Sequence, residues 1–357
     1  MFVQNETTQL IEGIKSMEVK YPETSSYDLE VWKILSGFWH PIARASDLNK
    51  KPFPVKLLDV PLVIYQTDNK TISIALDICP HRGAPLSKGW IERERIICPY
   101  HGLEYDKSGQ CKRVPASEPH ADNCTAIKLT MVNWCERYGL IWVNLSGKPT
   151  KPLPNWPTYE DKSFVVVDCD SELWNASAGR HAENFNDVAH LSFIHAGTFG
   201  NPNDPLIERY KVDKTSAGFD RTFNYNEIDK IDYLSDKSEV VTKIYNYRYT
   251  YPFSSELEMI SPDGRVMTIY DSICPESPTT SRIFISLARN YDKDTSDEEI
   301  IKWQAAVNAE DRWVVESQLP KLLPLSPRSE KHIAADAWSL EFRTGFVKLG
   351  ISRDNGI

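Results

Sequence analysis

Cys79-Pro80-His81, followed after sixteen residues by Cys98-Pro99-Tyr100-His101, is the stretch on which the reading of this chain turns. Each half offers one thiolate and one imidazole, and together they match a two-iron cluster whose irons take two sulfur and two nitrogen ligands from opposed loops. Zinc accepts the same four ligands, but zinc fingers usually pair cysteine with cysteine and histidine with histidine. The mixed pairs favour iron and sulfur. Gly83 and Gly102 sit beside the ligands, where the backbone must bend sharply and turn N–H groups toward sulfur, and Pro80, Pro85 and Pro99 stiffen the same loops.

Outward from this stretch the chain reads as short strands. Pro54 to Leu58, Leu62 to Gln66 and Thr71 to Leu76 precede the first loop, with a polar turn at Asp68-Asn69-Lys70. Ile91 to Ile97 leads into the second loop, and further strands are expected at Thr125 to Val132 and Tyr138 to Asn144. Residues 1 to 34 read as a polar lead-in with a short helix near Leu10 to Met17.

The longer string Cys79-Pro80-His81-Arg82-Gly83-Ala84-Pro85-Leu86, with Cys98-Pro99-Tyr100-His101-Gly102, resembles the Rieske domain of the Rieske non-haem iron oxygenases. Gly109-Gln110-Cys111, Val114-Pro115 and Glu136-Arg137-Tyr138-Gly139-Leu140-Ile141-Trp142-Val143 extend the likeness. Many members carry tryptophan after the glycine that follows the second histidine, whereas this chain has Gly102-Leu103-Glu104. That departure is similar to the vanillate and dicamba demethylase group. The resemblance implies a [2Fe-2S] cluster held by Cys79, His81, Cys98 and His101.

A proline-rich segment, Lys148 to Pro157, favours extended linker-like backbone and sets the expected boundary between a Rieske domain over 35–150 and a second domain over 151–357. The length suits roughly two domains.

The second domain opens with Glu183-Asn184-Phe185-Asn186-Asp187-Val188-Ala189-His190-Leu191-Ser192-Phe193-Ile194-His195, which reads mostly as helix because no proline or glycine interrupts it. On a regular helix His190 and His195 lie about 140° apart, so two ligands for one ion need the helix to end, bend or bulge between them. Taken alone, two histidines and an acid fit an ordinary surface helix. Beside a Rieske domain they resemble the family's mononuclear iron helix, which implies His190 and His195 as ligands, Asp187 as a bridge that orients an imidazole and couples electron transfer, and Asn184 as a supporting residue. Non-haem iron that activates oxygen takes two histidines and one carboxylate, leaving other positions open. The carboxylate is sought in the last helix, expected from Ser296 with Glu299 placed for a capping box. Glu310 and Asp311 both lie within about 60° of its apolar stripe, so periodicity does not choose between them. The family pattern, an acidic pair followed by Val314-Val315-Glu316-Ser317-Gln318, implies Asp311.

Between the helices, Gly218 to Ile228, Ser238 to Ser254, Leu257 to Ile260, Val266 to Ile273 and Thr279 to Tyr291 alternate apolar and polar residues and predict an antiparallel sheet. Tyr245, Tyr247, Tyr249, Tyr251, Phe284 and Ile285 suit either a substrate cavity or the core, with core filling expected for most. With these elements the resemblance implies an α+β fold class: an all-β Rieske domain followed by a helix-grip type catalytic domain.

Composition narrows the partners. A net charge of -9 argues against a nucleic-acid groove and against anionic membrane. The longest apolar runs fall short of the roughly 20 residues of a bilayer span, and the opening MFVQNETTQLIEG has no basic segment followed by an apolar one, so a cytoplasmic protein is expected. Cys111, Cys124, Cys135, Cys169 and Cys274 show no paired spacing and are expected to be reduced thiols.

The resemblance implies the oxygenase component of a Rieske-type monooxygenase, using O2 to hydroxylate or oxidatively demethylate a small organic, aromatic substrate. It also implies a homotrimer in which Asp187 links His190 to a Rieske histidine of the neighbouring chain. No Gly-rich dinucleotide fingerprint or ferredoxin cysteine run is visible, so no flavin or NAD is expected on this chain and electrons are expected from a separate reductase, with or without a ferredoxin; the resemblance implies NADH or NADPH as their source. A ring-dihydroxylating dioxygenase subunit is one alternative, and a non-catalytic Rieske electron carrier is another.

Overall fold

The computed structural model describes residues 18–117, 124–230 and 238–357, which fall into two compact units, one up to Thr150 and one from Lys151 onward. The helix expected near Leu10 to Met17 lies outside the described residues.

In the first unit, α1 (Leu29–Ser36) is followed by strands β1 (His40–Arg44), β2 (Phe53–Leu57), β3 (Val60–Gln66), β4 (Ile72–Leu76), β5 (Trp90–Glu92), β6 (Arg95–Ile97), β7 (Glu104–Asp106), β8 (Cys111–Arg113), β9 (Asn133–Arg137) and β10 (Leu140–Asn144). They form three antiparallel sheets, ordered β1-β10-β9, β2-β3-β4 and β5-β6-β7-β8. Leu58 and Asp59, both at positive φ, join β2 to β3 in a two-residue hairpin. What reads as one strand over Ile91 to Ile97 is the hairpin β5–β6, turned at Arg93 with φ 53°. The strand expected over Thr125 to Val132 reduces to isolated bridges at Lys128 and Met131, and the paired strand follows it as β9.

The lead-in is not wholly loose. Asp28 caps α1 by accepting from the Glu30 and Val31 N–H groups, and Val31, Trp32 and Leu35 are buried. Val19 N–H donates to the Leu145 carbonyl, which ties this segment to the end of β10. Cys111 and Cys124 are also closer than their spacing suggests: both are free, yet their sulfurs lie 2.7 Å apart, because β8 and the segment after it fold onto one core.

The second unit contains α2 (Pro157–Glu160), β11 (Val165–Asp168), β12 (Glu172–Trp174), α3 (Ala178–Asn186), α4 (Leu191–Ile194), β13 (Asp213–Lys214), β14 (Gly218–Lys230), β15 (Ser238–Thr250), β16 (Ser254–Ile260), β17 (Val266–Ser277), β18 (Thr280–Arg289), α5 (Asp297–Ser317) and α6 (Ala337–Lys348). The strands make one antiparallel sheet, β11-β18-β17-β16-β15-β14-β13, with β12 also paired to β18. Alternation places Phe219, Arg221, Phe223, Tyr225 and Glu227 of β14 on its buried face. Register sets Phe223 opposite Tyr245 and Arg221 opposite Tyr247. Ser296 caps α5 by accepting from Glu299 N–H.

That helix is not the last. In α6, Trp338, Phe342 and Phe346 recur every four residues and bury one stripe, and Gly345 leaves room for the Tyr251 ring. A Cβ there would stand 1.7 Å from the Tyr251 hydroxyl.

Candidate metal centres and substrate cavity

The two Rieske loops repeat one backbone device. Gly83 N–H donates to the Cys79 carbonyl (2.8 Å), and Gly102 N–H donates to the Cys98 carbonyl (3.0 Å), each glycine at positive φ. Cys79 N–H then bonds to Ala84 O and Cys98 N–H to Leu103 O, closing each loop. The His81 and His101 rings stand 4.6 Å apart, edge to face, while Cys79 and Cys98 are buried in one hydrophobic core. His81 and His101 are exposed. The Tyr105 hydroxyl lies 3.2 Å from the Cys79 sulfur. Burial, with the Cys79 thiol beside it, holds the Cys98 thiol above its ordinary value; a bound cluster would hold both sulfurs as thiolates. Two buried sulfurs and two adjacent exposed imidazoles carried on the same pair of loops fit a two-iron cluster.

In the second unit the expected continuous helix is broken. α3 stops at Asn186, and Asp187 takes an extended conformation with φ -72° and ψ 148°. Its side chain supplies the reason: Oδ1 accepts from Ala189 N–H (3.2 Å) and Oδ2 from His190 N–H (3.0 Å), a local alternative to helical bonding that needs neither proline nor glycine. The break swings His190 and His195 together, their rings 5.2 Å apart.

Both rings are oriented from behind by carboxylates. His190 Nδ1–H donates to Asp187 Oδ2 (2.9 Å), and His195 Nδ1–H donates to Glu310 Oε2 (2.8 Å). A carboxylate only accepts, so each Nδ1 carries the proton and each Nε2 presents a lone pair. Asp311 Oδ1 lies 3.5 Å from His190 Nε2 and 3.4 Å from His195 Nε2. It is buried without a hydrogen-bond partner. Two lone pairs and an orphaned carboxylate oxygen converging on one point fit a divalent iron.

Burial raises the Asp311 carboxyl, but the neighbouring His195 and His190 rings, with Asn184, outweigh it and hold the group below the ordinary carboxylate range. Burial likewise raises Asp187, and His190 brings it below that range. His195, lowered by burial, is raised overall by Asp311 and Glu310. Phe199 stacks on His195 at 4.7 Å, and Thr198 donates its hydroxyl to Glu310 Oε2 (2.9 Å).

Glu310 is the functional side chain that sequence reasoning treated only as a rival to Asp311. Adjacent helical residues point about 100° apart, so one helix presents Asp311 to the Nε2 atoms and Glu310 to the back of a histidine. Beside this centre runs a mainly apolar cavity whose wall includes Tyr245, Tyr247 and Ile285, whereas Tyr249, Tyr251 and Phe284 do not line it. His181, Asn184, Gln304 and Asn308 supply polar wall.

Two family models match the chain: the Rieske [2Fe-2S] domain over residues 38–133, and the vanillate O-demethylase oxygenase C-terminal domain over residues 174–350. The chain is 32% identical to methylxanthine N1-demethylase NdmA of Pseudomonas putida over 330 residues, covering 90% of this chain and 91% of that protein. The chain belongs to the Rieske non-haem iron oxygenases. A solved structure of the same Pseudomonas putida protein with caffeine superposes with a TM-score of 0.75 at 30% identity, covering 87% of this chain and 90% of that one. Dicamba monooxygenase bound to dicamba, at 21% identity and a TM-score of 0.74 over 88% of this chain and 97% of that one, shares the fold. As a Rieske oxygenase this chain is an oxidoreductase of the monooxygenase kind, carrying a [2Fe-2S] cluster and a mononuclear iron. Oxygenase components of this family work with separate electron-supplying proteins. No described helix is long and apolar enough to cross a membrane.

Proposed function

We propose that this oxygenase demethylates a small N- or O-methylated aromatic compound. His190, His195 and Asp311 hold its mononuclear iron, and Cys79, His81, Cys98 and His101 hold its cluster. The observation that carries the reading is the orphaned Asp311 Oδ1, facing two Nε2 atoms whose rings are fixed from behind. The demethylases among the relatives support the reaction type: one acts on methylxanthines, another on dicamba. When bound, the iron supplies oxygen activation and the cluster supplies single electrons.

The chain's own residues do the rest. Asp187 and Glu310 hold the imidazoles in one tautomer, and the apolar wall of Leu257, Met259, Ile269 and Ile285 excludes water from a bound ring. Asn184 steadies Asp311. One oxygen atom leaves with the methyl group as formaldehyde and the other as water, consuming two electrons and two protons. Asp187 is half-buried, with its Oδ1 bonded only within its own turn, and we assign it the bridge to a Rieske histidine of a neighbouring subunit in a homotrimer. The electrons come from NADH or NADPH through a separate reductase, with or without a ferredoxin.

The test is turnover of the iron-loaded protein with a generic reductase, NADH and a panel of methoxylated and N-methylated aromatics, scored for formaldehyde. Formaldehyde matched to demethylated product supports the reading. A hydroxylated product without formaldehyde would replace it with ring or side-chain hydroxylation.

A further inference from the structure

Among the described residues, four polar atoms on residues of the cavity wall are buried with no hydrogen-bond partner: Asp311 Oδ1, His181 Nδ1, Gln304 Oε1 and the Tyr247 hydroxyl. The first faces the two histidines. The others need partners that the folded chain does not supply, and a buried polar group left unpaired is costly.

The hydrogen-bonding sense of two of them is fixed by carboxylates behind them. His181, on α3 and only 4% exposed, points Nε2 at both oxygens of the fully buried Asp271, at 3.2 and 3.3 Å. Asp271 can only accept, so Nε2 carries the proton and, in the singly protonated ring, Nδ1 is left with a lone pair. Gln304 reaches the same condition by a longer route. Glu172 accepts from the Trp174 indole N–H (3.0 Å) and from Asn308 Nδ2 (2.6 Å). With its amino group committed to a carboxylate, Asn308 presents Oδ1 to Gln304, whose Nε2 donates at 2.7 Å. That leaves Gln304 Oε1 as the free end, again an acceptor. An amide's orientation is normally ambiguous, but a chain anchored on a carboxylate has one consistent solution.

The two chains meet at Trp174, which donates to Glu172 and packs edge to face on the His181 ring at 4.7 Å. Gln304 and Asp311 are seven residues apart on α5, about 10 Å along its axis, which is the reach of one or two aromatic rings. The Tyr247 hydroxyl can give or take a hydrogen bond and does not oppose this polarity.

We propose that His181 Nδ1 and Gln304 Oε1 form a hydrogen-bond-accepting wall that selects methylated aromatics which also carry an N–H or O–H donor. The proposal rests on the aromatic-demethylase reading above and names the substrate class within it. Fully methylated compounds leave both acceptors unpaired and bind poorly. Asp271 and Glu172 set the polarity without touching the substrate, and are positioning residues.

The test is calorimetric binding to the iron-loaded protein of two probe pairs that differ by one capping methyl: guaiacol against veratrole, and 1-methyluracil against 1,3-dimethyluracil. The extra methyl alone favours the capped member by about fourfold. Acceptance by the wall reverses this, and the uncapped member of each pair should bind about tenfold tighter. Asp271→Asn and Glu172→Gln, which free the ring and the amide to turn over, should each bring the ratio toward one, with circular dichroism and iron content confirming intact protein. Equal affinity or a preference for the capped members in the unaltered protein would overturn the proposal, as would an unchanged ratio in both variants. Failure of all four probes to bind would overturn it together with the aromatic-substrate reading, so the two failures are distinguishable.

Discussion

The two proposed metal-ligand regions are built in opposite ways. The Rieske set comes from two short loops in one part of the chain, each closed by its own glycine, with sulfurs buried and imidazoles exposed. The other set joins His190 and His195 to Asp311, more than a hundred residues later, and each histidine is held by a carboxylate rather than by a tight loop. The difference suits the two tasks. A centre that only passes electrons needs rigid ligands and an exposed edge, while one that meets oxygen and an organic molecule needs open positions, a dry wall and finely oriented imidazoles.

The sharpest way to break the comparison is at the only proposed ligand that comes from α5. Asp311→Ala should cost about 10³-fold or more in turnover and remove the mononuclear iron, while the visible absorbance of the Rieske cluster stays unchanged. Loss of the cluster in the same variant would show that the two centres are not separately built. Asp187→Asn, which can still accept from the N–H groups of its turn but loses the charge, addresses the bridge: turnover should fall about 100-fold with both metals retained, read by rate and iron content together. If iron leaves with activity, Asp187 acts by holding His190 for the metal and not as an electron bridge. Glu310→Gln frees the His195 ring to take either tautomer, and a weakening of iron affinity by about tenfold is expected on titration with a chelator. No change would reduce Glu310 to a surface charge.

The smallest expected effect lies in the sheet. Burial, opposed by Arg248 and reinforced by Glu258, pushes the Glu256 carboxyl up to about 7 from its ordinary 4.5. A raised carboxyl contributes stability that is fully present below 4.5 and is lost as pH rises through 7. Glu256→Gln should therefore flatten the fall in stability over that window by about 1–3 kcal/mol, measured by urea unfolding at several pH values.

What the sequence revealed follows the same division. Both Rieske loops are contiguous strings whose ligands, glycines and prolines carry their geometry locally, so four candidate ligands could be proposed from spacing and resemblance. The second centre was half legible. His190 and His195 were visible, and the need for a break between them followed from helical angle, but its cause, Asp187 bonding back to Ala189 and His190, leaves no proline or glycine to read. Glu310 and Asp311 could not be separated by periodicity because both flank the same stripe, and the structure gives each a different histidine atom. His181, Asp271 and Gln304 left no motif at all, since they meet only when α3, β17 and α5 pack around one cavity. The helix α6 escaped because its aromatic stripe carries Gly345 in its interior, a residue kept by the approach of Tyr251 and not by helix propensity.

The account stands most directly on the count of iron against acid-labile sulfide in the purified, iron-loaded protein and in its His190→Ala variant. It predicts a ratio of about 3:2 for the unaltered chain and about 2:2 for the variant, with the Rieske signal the same in both. A ratio of 2:2 in the unaltered chain, or three irons retained after His190→Ala, would contradict it.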